Sequence, residues 1–186
     1  MRVETMSVPG VLLITPDVFR DPRGFFVETY HETRYQASGI PDRFVQDNHS
    51  LSARGTLRGL HAQRSRPQAK LVRCISGLIW DVAVDIRVGS PHFGRWVGAE
   101  LSADSAAQIY VPVGFAHGFA VLSESAEVEY KCSDYYAPQD QFTIRWDDPE
   151  IGIEWPLKGP LLSDKDAKAP LLAAWVAEGS LPRFGA

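Results

Sequence analysis

The chain has 186 residues, of which 45% are hydrophobic and 23% charged, and its formal net charge is −4. These values are typical of a globular protein with one domain, here residues 1–186, and the negative charge argues against a nucleic-acid-binding surface. No apolar run is long enough to cross a membrane, and the first ten residues, MRVETMSVPG, lack the apolar segment of a signal peptide, so we expect a cytoplasmic protein.

Short extended segments separated by turns are predicted in the first quarter of the chain. Residues 11–14 form an apolar run, and the sequence DPRG at 21–24 is a turn signal before a predicted strand at 25–30. Residues 31–39 read as a short helix that ends at Gly39, and residues 44–48 as an extended segment.

The stretch HSLSARGTLRGLHAQ, residues 49–63, reads as a strand that enters a barrel. In a regular strand Leu57, Gly59 and His61 would share one face and Arg58 would lie on the other. A bulge or twist is cheapest at Gly59, and it would let Arg58 and His61 reach one ligand.

The strongest strand pattern begins at residue 69. Residues 69–75 and 78–88 are predicted strands joined by a hairpin turn at Ser76 and Gly77. Alternation in the second strand predicts an apolar face that comprises Trp80, Val82, Val84, Ile86 and Val88. Asp81 and Asp85 fall on the opposite face, where solvation is the simple structural explanation for Asp81.

Further strands are predicted at residues 95–101, 108–111, 126–132 and 141–146, with turn signals at Pro112, Gly114 and Gly118. Residues 163–179 read as a capped helical segment that Pro170 breaks or delays. Many short strands at fairly regular spacing indicate an antiparallel sandwich or barrel.

His61 is the first candidate for chemistry, because an imidazole with a pKa near 6.5 can accept a proton at neutral pH. A lone histidine near a strand end is more often structural. A base would need a carboxylate on its other nitrogen, and Asp166 and Asp81 are the two candidates. Asp166 also fits a capping box that begins at Ser163.

Three other kinds of residue are candidates with an alternative structural explanation. Tyr130 is either a core tyrosine or a proton donor or acceptor at a cavity mouth. Lys70 lies either at a strand edge or where it can stabilise a negative charge. The three arginines either bind an anion together or are ordinary surface residues; they are Arg23, Arg54 and Arg58.

A metal site is the main rival to an acid–base site. The five histidines are His31, His49, His61, His92 and His117. No H-x-H, HExxH or paired CxxC motif occurs, so a metal is disfavoured, and neither GxGxxG nor GxxxxGK occurs to hold a nucleotide cofactor. Cys74 and Cys132 lie in apolar strands and are expected to be reduced core thiols.

Taken together, several segments resemble the dTDP-4-dehydrorhamnose 3,5-epimerase family over nearly the whole chain. They are DPRGFFVETY, FVQDNHSLSARGTLRGLHAQ, QAKLVRCISG, DVAVDIRVGSPHFGRWVGAELS, YVPVGFAHGF, EYKCSDYYAP and LSDKDAKAPLL. The resemblance implies an all-β, cupin-like jelly-roll barrel with short flanking helices, a core at about residues 10–150 and a helical tail at about 163–186. It also implies a homodimer that needs neither metal nor cofactor.

The resemblance further implies the substrate and the site. The substrate would be dTDP-4-dehydro-6-deoxy-D-glucose, on the route to dTDP-L-rhamnose. His61 would be the base, Asp166 its partner, Tyr130 the proton donor and Lys70 the group that stabilises the enolate. Substrate-binding positions, some reaching in from the partner subunit, would be Arg23, Phe26, Glu28, Gln46, Asn48, Arg58, His117, Tyr136 and Lys165.

Tyr130 would suit its role if the cavity lowered its pKa modestly. The sequence leaves three alternatives open. The first is a mono-epimerase that acts on C3 or C5 only, in a secondary-metabolite pathway. The second is a barrel that binds a sugar nucleotide without catalysis. The third is a metal-dependent cupin enzyme.

Overall fold

The computed structural model describes residues 1–185, which consist mainly of antiparallel β-strands. The strands are β1 (Arg2–Thr5), β2 (Leu12–Thr15), β3 (Val18–Asp21), β4 (Gly24–Val27), β5 (Gln46–Ala53), β6 (Leu57–Gln63), β7 (Lys70–Ser76), β8 (Leu78–Asp85), β9 (Trp96–Ser102), β10 (Gln108–Val111), β11 (Phe115–Val121), β12 (Ser125–Cys132) and β13 (Gln141–Thr143). The helices are α1 (Glu32–Ala37), α2 (Asp164–Ala167) and α3 (Leu172–Glu178).

Two sheets pack face to face and enclose an apolar interior. One has the strand order β1-β2-β10-β7-β12-β5 and the other β13-β6-β11-β8-β9, while β3 and β4 form a separate hairpin. Val72, Ile109, Phe119 and Val128 are among the buried residues between the sheets. The predicted cupin-like jelly-roll barrel with short flanking helices is confirmed. Within residues 1–185, no helix is long and apolar enough to cross a membrane.

The stretch 49–63 forms two strands, so the prediction of one strand was wrong. β5 belongs to the six-stranded sheet and β6 to the five-stranded sheet. Gly55 lies between them with φ of 80°, a left-handed conformation that favours glycine. The chain therefore turns a corner of the barrel here.

The predicted hairpin at Ser76 and Gly77 is also wrong. β7 and β8 follow one another in sequence but lie in different sheets. Gly77 has φ of 82°, and a Cβ atom at this position would lie 2.2 Å from the carbonyl oxygen of Ser125. Glycine is required because the chain crosses from one sheet to the other against the backbone of β12.

The faces of β8 are buried on both sides. Asp81 and Asp85 are fully buried, so the explanation that Asp81 is a solvated residue was wrong. Ala83, which shares their face, packs in the interior of the barrel, while Val82 and Val84 pack outside against the C-terminal segment. Buried carboxylates need partners, and Asp85 has them in Arg87 and Ser90, whereas Asp81 has His117.

The C-terminal segment has the predicted break at Pro170, which lies between α2 and α3. Trp175 of α3 packs on the ring of Phe142 with a centroid distance of 5.1 Å. The backbone N–H of Leu172, at the start of α3, donates to the buried carboxylate of Asp148 at 2.7 Å. These contacts hold the segment against the outer face of the five-stranded sheet.

Candidate active site

A cavity of about 180 Å³ opens at one end of the barrel, where strand ends of both sheets meet. Its lining residues are Asn48, His61, Ala62, Gln63, Pro67, Gln68, Lys70, Ile86, Gly114, Phe115, Tyr130, Tyr136, Gln141 and Pro182. Three of the four predicted catalytic residues, His61, Lys70 and Tyr130, thus line one cavity. The fourth, Asp166, borders an adjoining depression, which His61 also lines.

His61 and Asp166 are in direct contact although 105 residues separate them in sequence. His61 Nε2 lies 2.6 Å from Asp166 Oδ1, and Asp166 is only 3% exposed. Asp166 stands in the first turn of α2, where its backbone N–H donates to Ser163 Oγ at 3.2 Å. Both explanations of Asp166 are therefore realised, since Ser163 caps the helix that carries the Asp166 carboxylate to His61.

The electrostatics of this pair favour a neutral imidazole beside a carboxylate. Burial lowers the pKa of His61, and Asp166 offsets part of this effect by its hydrogen bond and charge. Burial acts to raise the pKa of Asp166, but the hydrogen bond and charge of His61, with hydrogen bonds from Ser163 and Gly59, outweigh it and hold that pKa below its usual value. His61 can therefore accept a proton at neutral pH.

Lys70 and Tyr130 lie on neighbouring strands, β7 and β12, and Lys70 Nζ is 5.7 Å from the centroid of the Tyr130 ring. Burial lowers the pKa of Lys70, although the charges of Cys132 and Asp81 oppose this effect. Burial raises the pKa of Tyr130, so the condition given for its role, a modest decrease, is not met. The phenolate is disfavoured because the hydroxyl lies in a poorly hydrated cavity, so Tyr130 retains its proton.

The register of β6 changes next to His61. Opposite β11, three residues separate Arg58 from His61 while two separate their partners Phe119 and His117. The extra residue is a bulge beside Gly59, where φ is 138°, as predicted. As a result, Arg58 and His61 line the same depression.

That adjoining depression, of about 430 Å³, also contains Lys165, Tyr136 and Gln141. Arg58 Nε donates to Ser52 Oγ at 3.0 Å, which fixes the guanidinium at its rim. Two cationic side chains thus border a space that is continuous with the catalytic cavity through His61, Tyr136 and Gln141.

Gln46, Asn48 and Tyr136 form a network at the cavity mouth. Gln46 Nε2 donates to Asn48 Oδ1 at 3.0 Å, and the Tyr136 backbone N–H donates to Gln46 Oε1 at 2.9 Å. The Tyr136 hydroxyl donates to Gln141 Oε1 at 2.9 Å. Asn48 and Tyr136 line the cavity, and Gln46 holds them in place.

The fold does not bring Arg23, Phe26 and Glu28 to the cavity of their own chain. They lie on or next to the β3–β4 hairpin, where Phe26 is 69% exposed, Arg23 pairs with Asp21 and Glu28 pairs with Arg34. Their contribution to a partner's site stays a prediction.

Of the three arginines of the predicted clamp, only Arg58 lines the cavity or the adjoining depression. Arg54 is exposed in the turn between β5 and β6.

His117 and Asp81 form a second buried pair inside the barrel. His117 Nε2 lies 2.9 Å from Asp81 Oδ2, and its ring centroid is 6.4 Å from that of Tyr130. Asp81 therefore pairs with His117, and the alternative that it orients His61 was wrong. His117 is 5% exposed and is not among the residues that line the cavity, so its predicted contact with substrate stays a prediction.

The sequence analysis did not identify several lining residues. Gln63 follows His61 by two residues on the same strand face, a signal that could have been used. Its side-chain amide donates to the carbonyl oxygen of Arg66 at 2.7 Å and accepts from the N–H of Ala137 at 2.8 Å, which fixes the loop before Ala137. Pro182 has no comparable signal, because its place in the cavity depends on the path of the whole tail.

Within residues 1–185, no group of three His, Cys, Asp or Glu side chains is arranged to hold a metal ion. The two cysteines, Cys74 and Cys132, are free and buried, as predicted. The predicted independence from metals and cofactors stays a prediction.

Known proteins resemble this chain closely in sequence and fold. The dTDP-4-dehydrorhamnose 3,5-epimerase of Pseudomonas aeruginosa is 53% identical over 175 residues, which are 93% of this chain and 97% of that protein. The dTDP-4-dehydrorhamnose 3-epimerase of Streptomyces niveus is 42% identical over 186 residues, 99% of this chain and 90% of that protein.

A crystal structure of the dTDP-6-deoxy-D-glucose-3,5-epimerase from Legionella pneumophila Philadelphia 1 in complex with dTDP-4-keto-L-rhamnose superposes with a TM-score of 0.96. Its chain is 49% identical, and the match covers 100% of this chain and 99% of that one. The sequence model of the family described as dTDP-4-dehydrorhamnose 3,5-epimerase matches residues 5–174. The chain with the His61–Asp166 pair therefore belongs to the dTDP-4-dehydrorhamnose 3,5-epimerase family of isomerases.

Proposed function

We propose that the protein epimerises dTDP-4-dehydro-6-deoxy-D-glucose at C3 and C5 to give dTDP-4-dehydro-L-rhamnose, in the biosynthesis of dTDP-L-rhamnose. The observation that carries this proposal is the contact between His61 and the buried Asp166 at a cavity that Lys70 and Tyr130 also line. The relatives named above support the choice of substrate. In this proposal the enzyme is a cytoplasmic homodimer and uses no metal or cofactor.

The first step is removal of a proton next to the C4 ketone, which acidifies the C–H bonds at C3 and C5. His61 is suited to accept this proton because its pKa is lowered by burial. Asp166 then stabilises the imidazolium that forms, since the two side chains are already 2.6 Å apart.

Removal of this proton leaves an enolate, with negative charge on the former ketone oxygen. In this proposal Lys70 is protonated and its positive charge stabilises the enolate. Burial lowers the Lys70 pKa, but the charge of Asp81 opposes that effect, and the developing enolate favours the charged form further.

In the second step Tyr130 donates its own proton to the opposite face of the carbon, which inverts that centre and leaves a phenolate. His61 then loses its proton to solvent and Tyr130 regains one, so the pair is ready for the second carbon. Because burial raises its pKa, the Tyr130 phenol stays protonated until the basic carbon of the enolate has formed.

Binding energy comes from groups remote from the reacting carbons. Arg58 and Lys165 border the adjoining depression and are placed to bind the diphosphate, where Arg58 can form paired hydrogen bonds to phosphate oxygens. Such contacts fix the sugar over His61 and help to offset the cost of its distortion.

A single epimerisation is the second candidate function. The specific observation in its favour is the Streptomyces niveus relative, named a 3-epimerase, which is 42% identical over nearly the whole chain. A non-catalytic barrel and a metal-dependent enzyme are the further alternatives, and the same experiment separates all of these.

The test is proton NMR of the protein with dTDP-4-dehydro-6-deoxyglucose in deuterated water, after treatment with a chelator. We expect loss of both the C3 and the C5 proton signals. Loss of only one signal would select a mono-epimerase, and loss of neither would favour a binding protein. Exchange that requires an added divalent metal would favour a metal-dependent enzyme.

Two variants test the assigned roles. His61→Ala should lose exchange at both carbons, by about 100-fold or more, because the base is absent. Tyr130→Phe should keep exchange, since His61 can remove and return a proton on one face, but should lose inverted product. Equal loss of exchange in both variants would contradict the division of labour between the two residues.

A further inference from the structure

The catalytic cavity has a polar wall and an apolar end. The polar wall contains His61, Lys70, Tyr130 and four side-chain amides. The apolar end is formed by Ile86, Phe115 and Pro182, of which Ile86 is 1% and Phe115 4% exposed.

Arg87, the charged residue next to the apolar end, has its partners outside the cavity. The Arg87 guanidinium pairs with Asp85 at 2.7 Å and lies between the rings of Phe115 and Phe184, at 4.6 and 5.0 Å from their centroids. Gly114 makes room for the stem of Arg87, because a Cβ atom there would lie 2.6 Å from Arg87 Cγ. Arg87 is thus committed to these partners and does not line the cavity.

The C-terminal tail is fixed where it closes this end. The backbone N–H of Val88 donates to the carbonyl oxygen of Pro182 at 2.8 Å, and the N–H of Phe184 donates to the carbonyl oxygen of Val88 at 3.1 Å. Leu181, just before Pro182, is buried in the cluster outside the five-stranded sheet. These hydrogen bonds and the packing of Leu181 therefore hold Pro182 in the cavity wall.

We infer that Ile86, Phe115 and Pro182 form the subsite for the C6 methyl group of the sugar and select a 6-deoxy sugar over a 6-hydroxy one. This inference rests on the proposed function. A 4-keto-6-deoxyhexose carries hydroxyl groups at C2 and C3, a ketone at C4 and one apolar substituent, the methyl group. A hydroxyl placed at the apolar end would lose its hydrogen bonds to water without gaining others.

The experiment compares dTDP-4-dehydro-6-deoxyglucose with its 6-hydroxy analogue, dTDP-4-dehydroglucose. The readout is the rate of deuterium exchange at C3, a carbon remote from C6. We expect kcat/KM for the 6-hydroxy sugar to be lower by about 100-fold in the wild-type protein, the discrimination that an apolar pocket achieves against an added hydroxyl.

Pro182→Ser changes the wall while it keeps the backbone carbonyl that Val88 contacts. This variant should reduce the preference for the 6-deoxy sugar by about fivefold, the effect of one new hydrogen bond. Pro149→Ser is the control, because Pro149 lies outside the cavity in the loop between β13 and α2. The ratio of kcat/KM for the two sugars in this variant should equal that of the wild type. Both sugars are measured in one preparation, so unfolded protein cancels from the ratio.

Equal kcat/KM for the two sugars in the wild type would overturn the inference. So would a Pro182→Ser variant with an unchanged preference. Absence of exchange with either sugar in the wild type would instead refute the proposed function.

Discussion

At the residue scale, burial moves three ionisable groups of the cavity toward their neutral forms. It lowers the pKa of His61 and of Lys70, and it raises the pKa of Tyr130. The free site thus contains a base without its proton and an acid that retains its own. This is the state that proton abstraction by one group and return by the other requires.

The pH dependence of activity tests the His61–Asp166 pair. The pKa of His61 lies below its ordinary value of 6.5, so kcat/KM should be constant at neutral pH and should fall only as the pH drops below about 6.5 and His61 becomes protonated. In Asp166→Asn the group that raises the His61 pKa is lost, so this acid limb should move to lower pH. The plateau should fall by about 100-fold or more, because the imidazolium is no longer stabilised.

Asp164→Asn is the matched control on the same short helix. Asp164 is exposed and its carboxylate lies 4.0 Å from the Lys168 ammonium. The pH dependence of kcat/KM in Asp164→Asn should therefore equal that of the wild type. An acid limb that stays in place in Asp166→Asn, with activity merely reduced, would indicate that Asp166 only supports the fold.

At the scale of elements, most strands could be predicted from the sequence, but their partners could not. In the predicted strand at residues 126–132, alternation puts Val128, Tyr130 and Cys132 on one face, and in the structure Val128 and Cys132 are fully buried. The same rule left open which face of β8 lies inside, because both faces are buried. A Ser-Gly dipeptide such as Ser76-Gly77 signals a turn, yet a turn within a sheet and a crossing between sheets use the same local conformation.

Gly77 provides a test of that crossing. Gly77→Ala should destabilise the protein by about 3 kcal/mol or more, because a strained φ adds to a clash with the backbone of Ser125. The measurement is the urea midpoint at fixed protein concentration.

Gly89→Ala is the matched control for the clash. Gly89 has φ of 90°, similar to Gly77, but a Cβ atom there meets no other atom within 4 Å. Gly89→Ala should lower the free energy of unfolding by only about 1 kcal/mol, which is the cost of a left-handed backbone at alanine. Equal losses in the two variants would show that the crossing at Gly77 has room for a side chain.

The site was predictable only to the extent that its chemistry lies in local sequence. The bulge at Gly59 and the position of His61 follow from one strand. The choice between Asp166 and Asp81 does not, because it depends on where the tail packs after 105 further residues. The resemblance to the family supplied Asp166, and neither strand periodicity nor the family motifs pointed to Pro182.

At the scale of the whole molecule, the β3–β4 hairpin stands apart from the two barrel sheets. It carries three exposed aromatic side chains, Phe19, Phe25 and Phe26, each more than 60% exposed. Exposed apolar groups of this kind mark interaction surfaces. They support the proposal that a homodimer forms and that the hairpin brings Arg23 to the cavity of the partner subunit.

Mixed dimers test this proposal. Arg23→Ala and His61→Ala should each have low activity, but a refolded 1:1 mixture should recover about a quarter of the wild-type activity. Half of its dimers are mixed, and each mixed dimer has one intact site. The measurement is epimerase activity before and after mixing, with the mass of the assembly from light scattering.

His61→Ala mixed with Lys70→Ala is the control, because both residues line the cavity of their own chain. Every site in that mixture has a defect, so activity should not recover. A monomeric mass, or no recovery with Arg23→Ala, would contradict the shared site.

The position of Asp166 has a consequence for biosynthesis of the chain. Synthesis proceeds from the N-terminus, so every strand of the barrel, the last of which ends at Thr143, leaves the ribosome before Asp166 does. A nascent chain can build its sheets around His61 while the carboxylate partner is still missing. Chemical competence is thus acquired only in the last stage of translation, and a prematurely terminated product that lacks residue 166 has the barrel strands but an incomplete acid–base pair.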